Sequence, residues 1–154
     1  MLSALLVLAL SSPADPPKEK EKEKELPAGA KKELTKLEGK WQMVKAASSQ
    51  GEGDVKDLEA FCVIKGAELT FSRGEKKETL RVSAIGTTTD PQCIDFVGVR
   101  RDKTERTLEG IFKLDGDTLQ LAFAIPKDGK IRPTSFDKPT DPRTMVWTLK
   151  RVKE

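Results

Sequence analysis

From Gly39 onward, apolar residues recur at every second position. Trp41 and Met43 alternate with Gln42 and Val44, and Leu69 and Phe71 with Glu68, Thr70 and Ser72. Leu80, Val82 and Ala84 alternate with Thr79, Arg81 and Ser83, and Ile94 and Phe96 with Cys93 and Asp95. The pattern returns at Leu108 and Phe112 across Gly110, at Leu119, Leu121, Phe123 and Ile125, and at Met145, Trp147 and Leu149. A two-residue period sends successive side chains to opposite faces of a sheet, so each run predicts a strand with one face on a core. Asp115-Gly116 is a two-residue turn signal. As the turn itself it pairs Phe112 with Leu119, Gly110 with Leu121 and Leu108 with Phe123. A loop at residues 74–77 likewise pairs Arg73 with Glu78, Phe71 with Leu80 and Leu69 with Val82.

Elsewhere the period changes. Residues 31–37 predict a short helical turn, with Leu34 and Leu37 capping one end of a core. Val55, Leu58 and Phe61 are spaced three apart, which suggests one helical turn, and Gly51-Glu52-Gly53 reads as a loop. Further turns are expected at Lys65-Gly66, Thr89-Asp90-Pro91, Asp128-Gly129 and Asp141-Pro142. About eight strands in sequential order predict an all-β fold, an antiparallel up-and-down barrel whose closure removes edge strands. A two-sheet sandwich has the same periodicity.

The start of the chain breaks this pattern. Residues 1–10 carry no charged side chain and are mostly Leu, Ala and Val, and Ser12-Pro13-Ala14 follows with small residues spaced for signal peptidase. Residues 1–14 therefore read as a secretory leader. The apolar run is about half of the roughly 20 residues that a membrane span needs, so no integral span is expected after cleavage. Residues 15–30 read as a linker: Asp15-Pro16-Pro17 blocks helix, and Lys and Glu then alternate through residues 18–25. With nothing apolar to bury and like charges at i,i+4, that stretch is expected to stay solvated. One domain, residues 31–154, remains, with export to the periplasm or the extracellular space as the expected location.

Charge and residue types narrow the chemistry. The 154 residues carry 28 Lys and Arg against 25 Asp and Glu, a net charge of +3. That excess is small for a nucleic-acid binder, and none is expected as a partner. The densest basic cluster, Arg100, Arg101, Lys103 and Arg106, is interrupted by Asp102 and Glu105 and reads as a solvated loop. The chain has no His and no Tyr, which removes His-dependent triads and His-based zinc sites. No phosphate-cradling glycine loop is present, so no metal, cofactor or enzymatic activity is expected. The two cysteines, Cys62 and Cys93, allow two readings. One is a disulfide adding about 3.5 kcal/mol by chain entropy; the other is two buried free thiols on separate strands.

Gly39-Lys40-Trp41 stands at the start of the first strand, just after the helical turn. The chain then runs through Gly110-Ile111-Phe112, Asp115-Gly116-Asp117-Thr118-Leu119, Leu121-Ala122-Phe123-Ala124, Arg132-Pro133-Thr134-Ser135-Phe136 and Leu149-Lys150-Arg151. This order resembles a lipocalin-like (calycin-type) domain of unknown function, a small exported family common in planctomycete bacteria. The resemblance implies a β-barrel, with Gly39 and Trp41 as structural residues. It also implies that Trp41 plugs one barrel end against a basic residue of the last strand, Arg151 in preference to Lys150. It carries over no catalytic residue. That family often has a Cys where this chain has Ala122, so the cysteine arrangement here is its own.

Four residues are candidate ligand contacts. Trp41 and Trp147 would line an apolar cavity, or else serve as core. Asp95 would be an internal polar anchor if its face points inward; otherwise it faces solvent, as Glu109 does on the face opposite Leu108. Arg132 would guard the barrel mouth and meet an anionic group; in the plainer reading it belongs to a Pro-ordered turn with Phe136 as a core plug. Two functions follow. One is a carrier of a small apolar ligand or lipid inside the barrel. The other is a non-enzymatic protein-interaction or envelope-associated module with a side-chain-filled barrel.

Overall fold

The structure is a computed structural model that describes residues 26–86, 88–125 and 132–153. The expected leader, most of the linker and the Asp128-Gly129 turn lie outside the described residues. Helix α1 (Ala28–Leu37) is followed by β1 (Gly39–Ser48), β2 (Gly51–Asp54), β3 (Ala60–Lys65), β4 (Glu68–Arg73) and β5 (Lys76–Gly86). After these come β6 (Gln92–Val99), β7 (Glu105–Asp115), β8 (Thr118–Ala124) and β9 (Thr144–Arg151). From β3 to β9 each strand pairs antiparallel with the next, and β1 pairs with both β3 and β9. Eight strands thus close into an up-and-down barrel, and the β1–β9 ladder rules out an open sandwich.

β2 stands where a loop was expected. It pairs with the second half of β1, Ser48 opposite Gly51 and Lys45 opposite Asp54. Its residues are Gly, Glu, Gly and Asp, so it has no apolar stripe to announce it. β3 is a second correction. A single 3-10 turn covers Lys56–Leu58, but Leu58 is exposed and Phe61 belongs to the strand instead. Phe61 faces outward beneath the Lys40 ammonium, 4.6 Å from its ring centroid, while Ala60, Cys62 and Ile64 face the core.

Both proposed hairpin registers are two residues off. Leu114 pairs with Leu119 and Phe112 with Leu121; Phe71 pairs with Glu78 and Leu69 with Leu80. The turns are Gly116-Asp117 and Gly74-Glu75, and Gly66-Ala67 makes a third. Each begins on a glycine with φ between 56° and 58°, while its second residue keeps negative φ. That is the geometry in which glycine must come first of the two central residues. Because the slip is an even number, every side chain keeps its face.

The barrel interior is filled. Trp41, Met43, Cys62, Ile64, Leu69, Leu80, Val82, Ile94, Phe96, Leu108, Phe112, Leu119, Leu121, Phe123 and Leu149 form one buried cluster, with Leu34 and Leu37 of α1 closing it. In β5 a bulge between Val82 and Ala84 switches the faces, so Ile85 turns to the core and Ala84, expected there, is exposed. A smaller apolar cluster lies on the outer wall: Ala47, Ile111, Ala122 and Val146, covered by Phe136. Phe136 is therefore no plug of the interior. Residues 132–136, ahead of β9, lie against the outside of the barrel, with the Phe136 ring on this patch.

Candidate functional site: the open end of the barrel

The barrel has two unlike ends. At one, α1 lies across the opening beside the Gly66 and Gly116 turns and the end of β9. Trp41 is wholly buried there, its indole N–H donating to the Leu37 carbonyl at 2.8 Å. The Arg151 guanidinium sits 4.2 Å over the indole and donates to the Glu38 and Lys36 carbonyls at 2.6 and 3.0 Å. Those carbonyls end α1 and would otherwise lack partners. Gly39, at φ 130°, leaves the room this requires, because a Cβ would stand 2.9 Å from an Arg151 nitrogen. Gly39, Trp41 and Arg151 thus form one closure, and Trp41 is core rather than ligand lining.

Trp147 is core too. Its ring stacks on Phe71 at 5.2 Å between centroids and meets Phe123 edge-on at 4.6 Å. The three aromatics pack together at the core's edge.

Asp95 and Arg132 do meet, on the outer wall. Asp95 alternates with inward Ile94 and Phe96, so its carboxylate points out of the barrel. Arg132 donates to both of its oxygens at 2.6 and 3.1 Å and to the Gly110 carbonyl at 2.8 Å. Arg132 stands against the wall, not at the mouth. Its hydrogen bonds to Asp95, then the negative charges of Asp95 and Glu109, hold the guanidinium protonated above the usual range, against partial desolvation. Glu109, the cross-strand neighbour of Asp95, is only 6% exposed rather than solvated. This cluster anchors the β8–β9 connection, with Phe136 and the outer apolar patch beside it.

Both cysteines are free, so the disulfide is not formed. Cys62 faces the core of β3, and Cys93 lies half-buried on the outer face of β6, opposite Ile111 of β7. Three strand spacings and the sheet itself separate them. Burial raises the Cys62 thiol to about 12, so it stays protonated and inert at neutral pH. Among the described residues no group of three or more potential ligands could hold a metal, and no helix is long and apolar enough to cross a membrane.

The open end holds what the sequence reading passed over. The β5–β6–β7 ladder sets Leu80 beside Gly98 and Gly98 beside Arg106, which brings the Gly74 turn next to the loop at residues 100–104. A cleft of about 650 Å³ lies between them, lined by Phe71, Lys76, Lys77, Arg100, Arg101, Arg106, Val99, Glu75 and Glu78. Residues 73–78 and 100–106 carry seven cations against four carboxylates, an excess equal to the net charge of the whole chain. Two of those carboxylates are committed locally. Glu78 pairs with Arg106, and Asp102 accepts the Thr104 hydroxyl and amide at 2.6 and 3.0 Å. These hydrogen bonds, aided by the charge of Arg100, hold Asp102 below the usual carboxylate range. Lys76, Lys77, Arg100 and Arg101 are exposed at the rim, above Phe71. The basic cluster is thus half of a larger cationic rim whose other half lies about 25 residues earlier in the chain.

A scan against protein-family models, a search of curated proteins and a search of solved structures each found no match to this chain, so any functional reading starts from this geometry alone.

Proposed function

We propose that this protein is a non-enzymatic interaction module whose filled barrel serves as a rigid scaffold and whose cationic open end binds an acidic protein partner. The observation that carries the reading is the concentration of charge. The cations of the Gly74 turn and the 100–104 loop converge on one cleft, over a floor made by Phe71. A cleft lined by five cations and two carboxylates, one of them paired with Arg106, raises the local concentration of opposite charge and speeds encounter. Arg side chains recognise carboxylates in bidentate fashion, and an aromatic floor suits a partner with apolar groups between its acids. The apolar start of the chain supports a role outside the cytoplasm. The continuous interior core favours this module over a carrier of apolar ligand, since every inward stripe packs against another.

The test is titration of the mature protein with a short oligoglutamate peptide at low and at physiological salt. Saturable binding that weakens with salt and drops about tenfold or more in the Arg100→Glu, Arg101→Glu double variant supports the reading. Equal binding by the double variant overturns it. Native mass spectrometry of protein purified from its own host without detergent separates the carrier reading: an apolar adduct lost on denaturation would favour a carrier.

A further inference from the structure

Glu78 and Arg106 tie the two halves of the cationic rim together across the mouth of the barrel. On β5, Glu78 stands two residues from core Leu80 and opposite Phe71 of β4, so it takes the inner face at the level where the core stops. Arg106 stands two residues from core Leu108 on β7 and takes the same face. β6 runs between them, and its residue at that level is Gly98, next to Leu80 on one side and Arg106 on the other. A Cβ at Gly98 would stand 2.6 Å from a Leu80 methyl and 3.6 Å from the Arg106 Nε. The Arg106 side chain thus crosses β6 over a glycine, and its guanidinium donates to the Glu78 carboxylate.

This pair differs from the rest of the rim. Lys76, Lys77, Arg100 and Arg101 are exposed, whereas the Arg106 side chain is only 27% exposed. A guanidinium already partly out of water holds a carboxylate more firmly than a fully hydrated ammonium does. Glu78, at 48% exposed, can leave Arg106 for water. We propose that Glu78 is a built-in competitor: its carboxylate occupies the place on Arg106 that a carboxylate of the acidic partner takes, and the partner displaces it on binding. The inference rests on the acidic-partner reading of the open end and adds to it the point of carboxylate recognition and its internal brake. A lone carboxylate gains little by replacing Glu78. A run of acids also meets Lys76, Lys77, Arg100 and Arg101, so the exchange selects for several acids in one segment.

Calorimetric titration of the full chain with oligoglutamate at physiological salt tests this. Wild type is compared with Glu78→Gln and with Glu75→Gln, which removes the same charge from the same cleft without touching the Arg106 pair. Glu78→Gln should bind about fivefold more tightly, the upper contribution of an exposed ion pair. Glu75→Gln should gain about twofold or less, because salt screens a charge that acts only through the general field. In Arg106→Gln protein the two substitutions should give equal gains. Equal gains in the wild-type background, weaker binding by Glu78→Gln, or a larger Glu78→Gln gain that persists without Arg106 each overturn the inference and leave the acidic-partner reading standing. No saturable binding by wild type or by either variant overturns both. Should Arg106→Gln not fold, the comparison of the two glutamate variants decides alone.

Discussion

The two ends of the barrel are made by the same strands and solve opposite problems. At the α1 end, Trp41, Arg151, Gly39 and the last carbonyls of the helix converge, and each group satisfies another. At the other end, the interior stops at the stacked rings of Phe71 and Trp147, and the strands run on into exposed cationic turns. Charges held in water add little to folding, since an exposed ion pair contributes about 0.2–1 kcal/mol. They act at long range on whatever approaches. Under the proposed function, stability is concentrated at one end and recognition at the other, and substitutions should separate the two.

The largest effect should come from Trp41→Ala, which empties a wholly buried site at the closed end. It should cost about 3–5 kcal/mol in chemical denaturation. Arg151→Met should cost about 2 kcal/mol, by losing the ring contact and the hydrogen bonds to the Glu38 and Lys36 carbonyls. Arg132→Met, which unfastens the β8–β9 connection from Asp95, should cost about 1–2 kcal/mol and raise hydrogen exchange along the outer face of β7. Smallest of all, Arg100→Glu with Arg101→Glu should move stability by less than about 0.5 kcal/mol while weakening binding of an acidic peptide. If that pair destabilised the fold as much as Arg151→Met does, the division between the ends would fail.

Cys62 sharpens the same contrast through pH. Its thiol is raised by burial from 9.0 to about 12, so the unfolded chain ionises first as pH climbs. Between those values the unfolded state binds fewer protons, and the stability this group contributes is full below about 9 and falls as pH rises toward 12. Denaturation across that range should show a steeper decline for the wild type than for Cys62→Ala, even though the variant starts lower because of its cavity. At neutral pH a thiol reagent should modify Cys93, half-buried on the outer wall, and reach Cys62 only on unfolding.

What could be read from the chain follows the same division. Buried strands announce themselves through the two-residue period, so the barrel and its inward faces were legible. The pairing of Trp41 with Arg151 came instead from the family resemblance, which the alternation of apolar residues does not supply. β2 was not legible, since a Gly-Glu-Gly-Asp strand, held by backbone pairing and the Glu52–Lys45 ion pair, has no apolar period. The hairpin registers missed because Asp115 resembles a turn residue while the backbone assigns the first central position to Gly116. Asp95 and Arg132 were both singled out, but they lie 37 residues apart, and their meeting on the outer wall is not encoded in local pattern. The cationic rim was hidden for a similar reason. Lys76 and Arg100 lie far apart in sequence, and only the β5–β6–β7 pairing makes them neighbours.

The most direct test of the division is a backbone-amide NMR titration of the mature protein with an oligoglutamate peptide. The account predicts shifts confined to residues 71–78 and 99–106, with the amides of Trp41, Phe96, Phe112 and Arg151 unmoved. Shifts centred on those interior and closed-end residues, or none at saturating peptide, would contradict it.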